Sequence, residues 1–361
     1  MQYTRRDIGK LALAALPASS LLAAKPNSKW GGVQVGINAP YSFNRMSGTA
    51  DKIIEYMTQL NLSATELRLQ PVEAYLGAPG VYASGNDAPG GGARGGGGAG
   101  RGGSGRGGGR GASAGLAAGG GGRGASGRGG GGGRAPLTPE QQEAAKKLSD
   151  WRLALPMGKI KEFRKKYEDA GILIQILKID NFNSFSDEVT DYFFTVAKNL
   201  GCHALSTEGN LADVKRLGQF ADKHKMMIGY HGHTAGPGGE AFGDPENWEK
   251  AMEAAKYNGI NLDLGHYLVG QHNVGRDPSP IPFLTKYHDH VTHVHVKDRK
   301  LTGQTVPFGQ GDVQITEVLQ LMKKNKWNFQ ATIEYEYPTP EGSDVLTELA
   351  KCVEYCRKAL V

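Results

Sequence analysis

Thr292-His293-Val294-His295-Val296-Lys297-Asp298 is the stretch on which the reading of this 361-residue chain turns. Successive side chains of a β-strand point to opposite faces, so His293, His295 and Lys297 share one face and Val294 and Val296 take the other. A strand with valines on one side and charge collecting on the other suits the wall of a closed barrel, with the valines packed under helices and the polar set toward the axis. In such barrels the C-terminal ends of the strands hold the chemistry. Three further stretches repeat the pattern. Gly229-Tyr230-His231-Gly232-His233 puts His231 and His233 on one face. Asn261-Leu262-Asp263-Leu264-Gly265-His266 turns Asp263 inward and leaves His266 just past the strand on the rim. Thr332-Ile333-Glu334-Tyr335-Glu336 turns Glu334 and Glu336 inward. Four consecutive strands thereby deliver imidazoles and carboxylates to one end.

Working outward, eight β-rich runs alternate with helical patterns: 33–37, 64–69, 172–176, 203–207, 226–231, 260–263, 291–296 and 330–335. Eight strands joined by crossover helices imply an α/β fold, a (β/α)8 TIM barrel spanning residues 25–361 as one domain. Ile315, Val318, Leu319 and Met322 fall on one helical face, as do Leu346, Leu349, Val353, Cys356 and Leu360, with Ser343 or Asp344 as N-cap of the last helix. Residues 79–134 interrupt the alternation. They are mostly Gly with scattered Arg, Ala and Ser, offer almost nothing to bury, and are expected to be a disordered insertion on the βα loop after strand two, near the active-site mouth.

The inward set defines the chemistry. Asp263, His295 and Glu334 crowded in a barrel mouth without partners would be costly to bury unless a cation joins them, and mixed nitrogen and oxygen donors suit one divalent ion of Mn, Mg, Co or Zn. His293, deeper than His295, reads as a hydrogen-bonded structural imidazole, and Glu336 as a rim residue that can face solvent. Glu66, Arg68 and Glu208 share the inward parity on strands two and four and suit substrate contact or a buried ion pair.

These motifs, with the Pro307-Phe308-Gly309-Gln310-Gly311 turn, resemble the xylose-isomerase-like barrels that include sugar epimerases, sugar-phosphate isomerases, inosose dehydratase and endonuclease IV. The resemblance covers about half the chain, from strand five onward. It implies Asp263, His295 and Glu334 as ligands of one divalent ion. His231 stands where many epimerases have Glu, so it takes the fourth ligand position unless Glu208 substitutes. The endonuclease branch carries an Asp-x-His step after strand seven that residues 299–308 lack, which speaks against DNA repair. The resemblance thus implies a metal-dependent sugar isomerase or epimerase working through an enediolate, with Glu334 as base, His231 or Glu208 as the opposing acid, and His233, His266, Lys297, Glu66 and Arg68 at the substrate. Loss of a β-substituent from the same enediolate would instead make a dehydratase or lyase. A non-catalytic sugar-binding protein is the rival of another class.

Charge and cysteine usage narrow the partners. The formal net charge of +6 is matched by the seven Arg and one Asp of residues 79–134 alone, so the folded body has no basic footprint. The insertion has only Tyr82 near its edge as a base-stacking platform, which leaves a solvated loop rather than an RNA-binding arm. Cys202, Cys352 and Cys356 give neither a disulfide framework nor a Cys-x-x-Cys metal site. Thr4-Arg5-Arg6-Asp7-Ile8-Gly9-Lys10 before a short apolar run to Ala24 resembles a twin-arginine export signal. A periplasmic protein with no membrane span after signal removal is the expectation, with a small-molecule sugar as its partner. The sequence does not specify an oligomeric state.

Overall fold

A computed structural model describes residues 25–88, 137–234, 236–239 and 241–361. The expected export signal at 1–24 and the body of the insertion, 89–136, lie outside them. Eight parallel strands close into a barrel: β1 (Val33–Ala39), β2 (Ala64–Arg68), β3 (Leu173–Lys178), β4 (Ala204–Thr207), β5 (Met227–His231), β6 (Asn258–Asp263), β7 (Val291–Val296) and β8 (Gln330–Ile333). Each pairs with its successor, and β8 pairs with β1 to complete the ring. Lys29–Trp30 adds one short antiparallel strand against the start of β1. All eight runs read from the sequence form strands. Strand three reaches Lys178 rather than ending at Ile176, which brings one further polar side chain to the mouth.

Alternation explains why these segments hold together. The outward residues of β7, Val294 and Val296, are fully buried under the helical layer, as are Ile37, Leu177, Leu205, Ile228, Leu262 and Ile333 of the other strands. The two helices read from periodicity are present. Ile315–Asn325 buries Ile315, Val318, Leu319 and Met322, and Val345–Leu360 buries Leu349, Cys352, Val353, Cys356 and Leu360. Asp344 caps the latter, its carboxylate accepting from Thr347 N at 2.9 Å. All three cysteines are buried and unpaired. Among the described residues no helix is long and apolar enough to cross a membrane.

The insertion leaves and rejoins the barrel at defined points. It follows helix α1 (Leu69–Tyr75) and precedes helix α2 (Pro139–Ala154), which opens on a capping box between Thr138 and Gln141. Asp87 accepts from Ser47 Oγ and Gly48 N at 2.6 and 2.8 Å, so residues 79–88, read from sequence as part of the disordered stretch, include a hydrogen-bonded turn docked on the loop after β1. Across the gap, Arg152 of α2 makes a two-pronged ion pair with Glu73 of α1, Nε–Oε1 2.7 Å and Nη2–Oε2 2.9 Å, while its guanidinium lies 5.1 Å from the Phe185 and Phe193 ring centroids. Both partners are buried, so removing one strands the other's charge. Glu73→Ala is expected to cost about 3 kcal/mol of unfolding free energy, read by urea denaturation. A cost below about 1 kcal/mol would mean that the clamp does not hold the flanks together.

Candidate metal centre

The C-terminal ends of β5, β6, β7 and β8 converge on one point. His231 ends β5, Asp263 ends β6, His295 lies one residue before the end of β7 and Glu334 follows β8, its backbone N still bonded to Val296 O at 3.0 Å. A register shift between Ile260 and Asn261 sets Asp263 directly opposite His295. One donor atom from each of these four buried side chains lies within 4.8 Å of the others, so together they could hold a metal ion.

The two imidazoles are oriented from behind. His295 Nε2 lies 2.6 Å from Glu66 Oε2 of β2, and His231 Nδ1 lies 3.1 Å from Glu208 Oε1, just past β4. With those far nitrogens committed to carboxylates, the near ones, His295 Nδ1 and His231 Nε2, face each other at 3.0 Å. Two lone pairs cannot sit that close without a positive charge between them, whether a shared proton or a cation. Asp263 Oδ2 lies 3.4 Å from His231 Nε2, and Glu334 Oε2 lies 3.4 Å from His295 Nδ1. Both oxygens are buried, and beyond these rings their close partner is the Lys297 ammonium.

Lys297 supplies the nearest fixed charge. Its ammonium lies 2.8 Å from Asp263 Oδ2, 2.6 Å from Glu334 Oε2 and 3.0 Å from Glu336 Oε1. On the opposite wall Lys178 pairs with Glu208 at 2.7 Å. Five carboxylates (Glu66, Glu208, Asp263, Glu334, Glu336) thus face two ammonium groups, a surplus of negative charge that a divalent ion would offset. Without a metal, protons on the imidazoles meet part of that surplus. Burial opposes ionisation of Asp263 and Glu334, yet Lys297 and the imidazoles hold both carboxyls well below the carboxylate range. Burial likewise opposes charge on His295, but Glu66 and Glu334 raise it well above the ordinary histidine value.

Several residues take roles that differ from the sequence expectation. Glu66, expected at the substrate, is fully buried and gives its two oxygens to His295 and, at 3.3 Å, to His293, so it orients rings instead of reaching open space. His293 also meets Thr292 Oγ1 at 2.9 Å, and burial lowers it to about 4, leaving it neutral. Arg68 is ion-paired with Asp180 at 2.6 Å beside the Tyr41 ring. Glu336 turns toward Lys297 and Tyr41 OH, 2.9 Å away, rather than to bulk water. Glu208 is shared among Lys178, His231 and the exposed His233, whose Nε2 is 2.6 Å from Oε2. His266 sits in the first turn of helix α3 (Leu264–Asn273), its backbone N bonded to Asp263 Oδ1 at 2.8 Å. The sequence reading missed Asn38, which donates to Glu334 Oε1 at 2.9 Å, and Lys178. Both have inward parity, and extending strands one and three by two residues would have found them.

A family model for the xylose isomerase-like TIM barrel matches residues 144–356, more than half of the chain. An inosose dehydratase of Clostridium tetani is 26% identical over 166 residues, covering 40% of this chain, and the chain spans about half the length of that curated relative (52%). In fold, the chain is similar to the probable 3-DHS dehydratase of petrobactin synthesis from Bacillus anthracis, with a TM-score of 0.52 at 10% identity over 89% of this chain and 99% of that one. It is equally similar to an uncharacterised protein from Parabacteroides distasonis, with a TM-score of 0.51 at 17% identity over 91% and 99% of the two chains. The barrel, its polar mouth and the extent of the matched segment lead to one conclusion: the chain belongs to the xylose isomerase-like TIM barrel family.

Proposed function

We propose that the protein is a divalent-metal-dependent sugar isomerase or epimerase that removes a proton from the carbon next to a carbonyl and passes through an enediolate. The observation that carries this reading is the pair of imidazole nitrogens 3.0 Å apart, flanked by buried Asp263 and Glu334 oxygens 3.4 Å from them. His231 Nε2, Asp263, His295 Nδ1 and Glu334 would hold the ion. When bound, it supplies Lewis acidity toward a carbonyl and its neighbouring hydroxyl.

Every other step belongs to the chain itself. Glu334, steadied by Asn38, takes the proton from the carbon acid. Lys297, 2.6 Å from Glu334 Oε2, stabilises the oxyanion that develops as the proton leaves. Glu208 on the far wall, bonded to His231 Nδ1, returns a proton to the opposite face, as an epimerase requires. A second reading, a dehydratase or lyase, is favoured by the state of Glu208. Lys178, His231 and His233 all lie within 3.1 Å of its carboxylate, which leaves it poorly free to serve as a second base. Elimination of a β-hydroxyl needs one base and an acid for the departing water, and the inosose dehydratase relative fits that chemistry. Export directed by residues 1–24 remains part of the proposal.

Elemental analysis of the purified protein is expected to find about one divalent ion per chain, lost in Asp263→Ala and in His295→Ala. A wild type that neither holds nor takes up metal would reverse the assignment in favour of a sugar-binding barrel. The metal-loaded protein should then exchange the α-proton of a ketose or keto-cyclitol with deuterium oxide. Exchange without loss of water supports isomerisation or epimerisation, and loss of water supports the dehydratase. Glu66→Gln should keep the fold and weaken metal affinity about 10–100-fold in a competition titration with a chelating dye. Unchanged affinity would show that the carboxylate behind His295 does not prepare the ligand.

A further inference from the structure

Three of the strands that each supply one donor to the centre supply a second polar group three or four residues further on. Thr234 follows His231, His266 follows Asp263 and Arg299 follows His295. The three meet on the rim. Thr234 Oγ1 lies 2.9 Å from His266 Nδ1, and Arg299 Nη1 lies 3.0 Å from the same nitrogen and 3.5 Å from Thr234 Oγ1. The His266 and His231 ring centroids are 6.2 Å apart, so this cluster borders the centre itself.

Arg299 is half-buried, and among the described residues no carboxylate forms an ion pair with it, although five lie at the same end of the barrel. Its position is nonetheless fixed. Nε and Nη2 both donate to the Gly303 carbonyl, at 3.2 and 2.9 Å, and the stem crosses Gly265, where a Cβ would stand 2.8 Å from Arg299 Cδ. A guanidinium has five N–H donors in a rigid fork. Gly303 takes the edge formed by Nε and Nη2, and His266 takes one Nη1 hydrogen. One Nη2 hydrogen is left over, and the Nη1 contact with Thr234 is long at 3.5 Å, so Nη2 and Nη1 can together serve the two oxygens of a carboxylate or phosphate.

We propose that Arg299, with His266 and Thr234, binds an anionic group, a carboxylate or a phosphoryl group, carried by the substrate away from its reacting carbonyl. Describing that ligand as the substrate rests on the metal-centred reaction proposed above. The anion site itself does not. A neutral hydroxyl gains little from a held guanidinium that a shorter amide would not give, whereas an anion gains both the charge and the paired hydrogen bonds.

The test is calorimetric titration of the full chain, stripped of metal so that no anion is drawn to a cation, with malonate and separately with inorganic phosphate at low salt. Wild type, Arg299→Ala and Arg299→Lys are compared. Saturable binding is expected to fall about tenfold or more in Arg299→Ala and to stay weak in Arg299→Lys, because an ammonium lacks the fork. Arg299→Lys keeps the stem over Gly265 and so guards against a loosened loop in the alanine variant, and melting temperatures establish that both are folded. Malonate binding assigns a carboxylate and phosphate binding a phosphoryl group. If wild type saturates with neither, or if folded Arg299→Ala and Arg299→Lys bind as wild type does, the proposal is overturned. If wild type takes up no metal, the proposed reaction falls while the anion titration still reads this site.

Discussion

Negative charge gathered where water is largely excluded is the condition that the mouth of this barrel has to satisfy. Glu66, Asp263 and Glu334 are almost wholly buried, and Glu208 and Glu336 border them. Left unbalanced, buried carboxylates would take up protons or unfold the strands that carry them. Lys297 answers three of them at once and Lys178 a fourth, while Glu66 is left to the imidazoles. The remaining deficit of positive charge falls between His231 and His295, where two nitrogens and two oxygens converge. Closing the barrel and holding a cation are in this sense one problem, because the closure that buries the carboxylates also creates their need for a counter-charge.

Alternation made the inner four residues legible before any coordinates, since a residue's parity on a strand fixes the face it occupies. His231, Asp263, His295 and Glu334 could therefore be grouped from four short stretches of sequence. Parity does not tell which way a second ring nitrogen or a second carboxylate oxygen turns. Glu66 is inward as expected, yet on β2 it meets His295 and His293 from the far side of the barrel, a relation set by ring closure between strands distant in sequence. Lys178 escaped because strand three continues past an apolar run to a lysine, and a charged residue at the end of such a run reads as the start of a loop. The short turn at 79–88 escaped for another reason. Its order comes from Ser47 and Gly48, some forty residues earlier, while its own composition resembles the Gly-rich stretch that follows.

The carboxylates behind the imidazoles also bear on the choice between reactions. Glu66 has no task apart from His295 and His293 and can hold its ring in one tautomer. Glu208 is divided among Lys178, His231 and His233, and any proton it carried to a substrate would have to leave that network. Glu334 is likewise held, by Lys297 and Asn38, so in the proposed reaction either wall would draw on a paired carboxylate. Chemistry that used both faces would in addition require His233, which is exposed, to release Glu208 as substrate enters.

Lys297, Asp298 and Arg299 show how the end of a single strand distributes these tasks. Lys297 keeps the inward parity of His293 and His295 and meets the carboxylates. Asp298 takes the opposite parity and accepts from Gly309 N and Gly311 N at 2.8 and 2.9 Å, gathering the turn that returns toward β8. A Cβ on Gly311 would lie 1.9 Å from Asp298 Oδ1, so that turn closes only around glycine. Arg299 comes after the strand has ended, where parity no longer holds, and its direction is set by Gly303 and by the gap at Gly265. The first two residues could be read from a strand pattern. The third depends on two glycines from separate segments, so nothing in the local sequence points to this cation, which among the described residues is paired with no carboxylate.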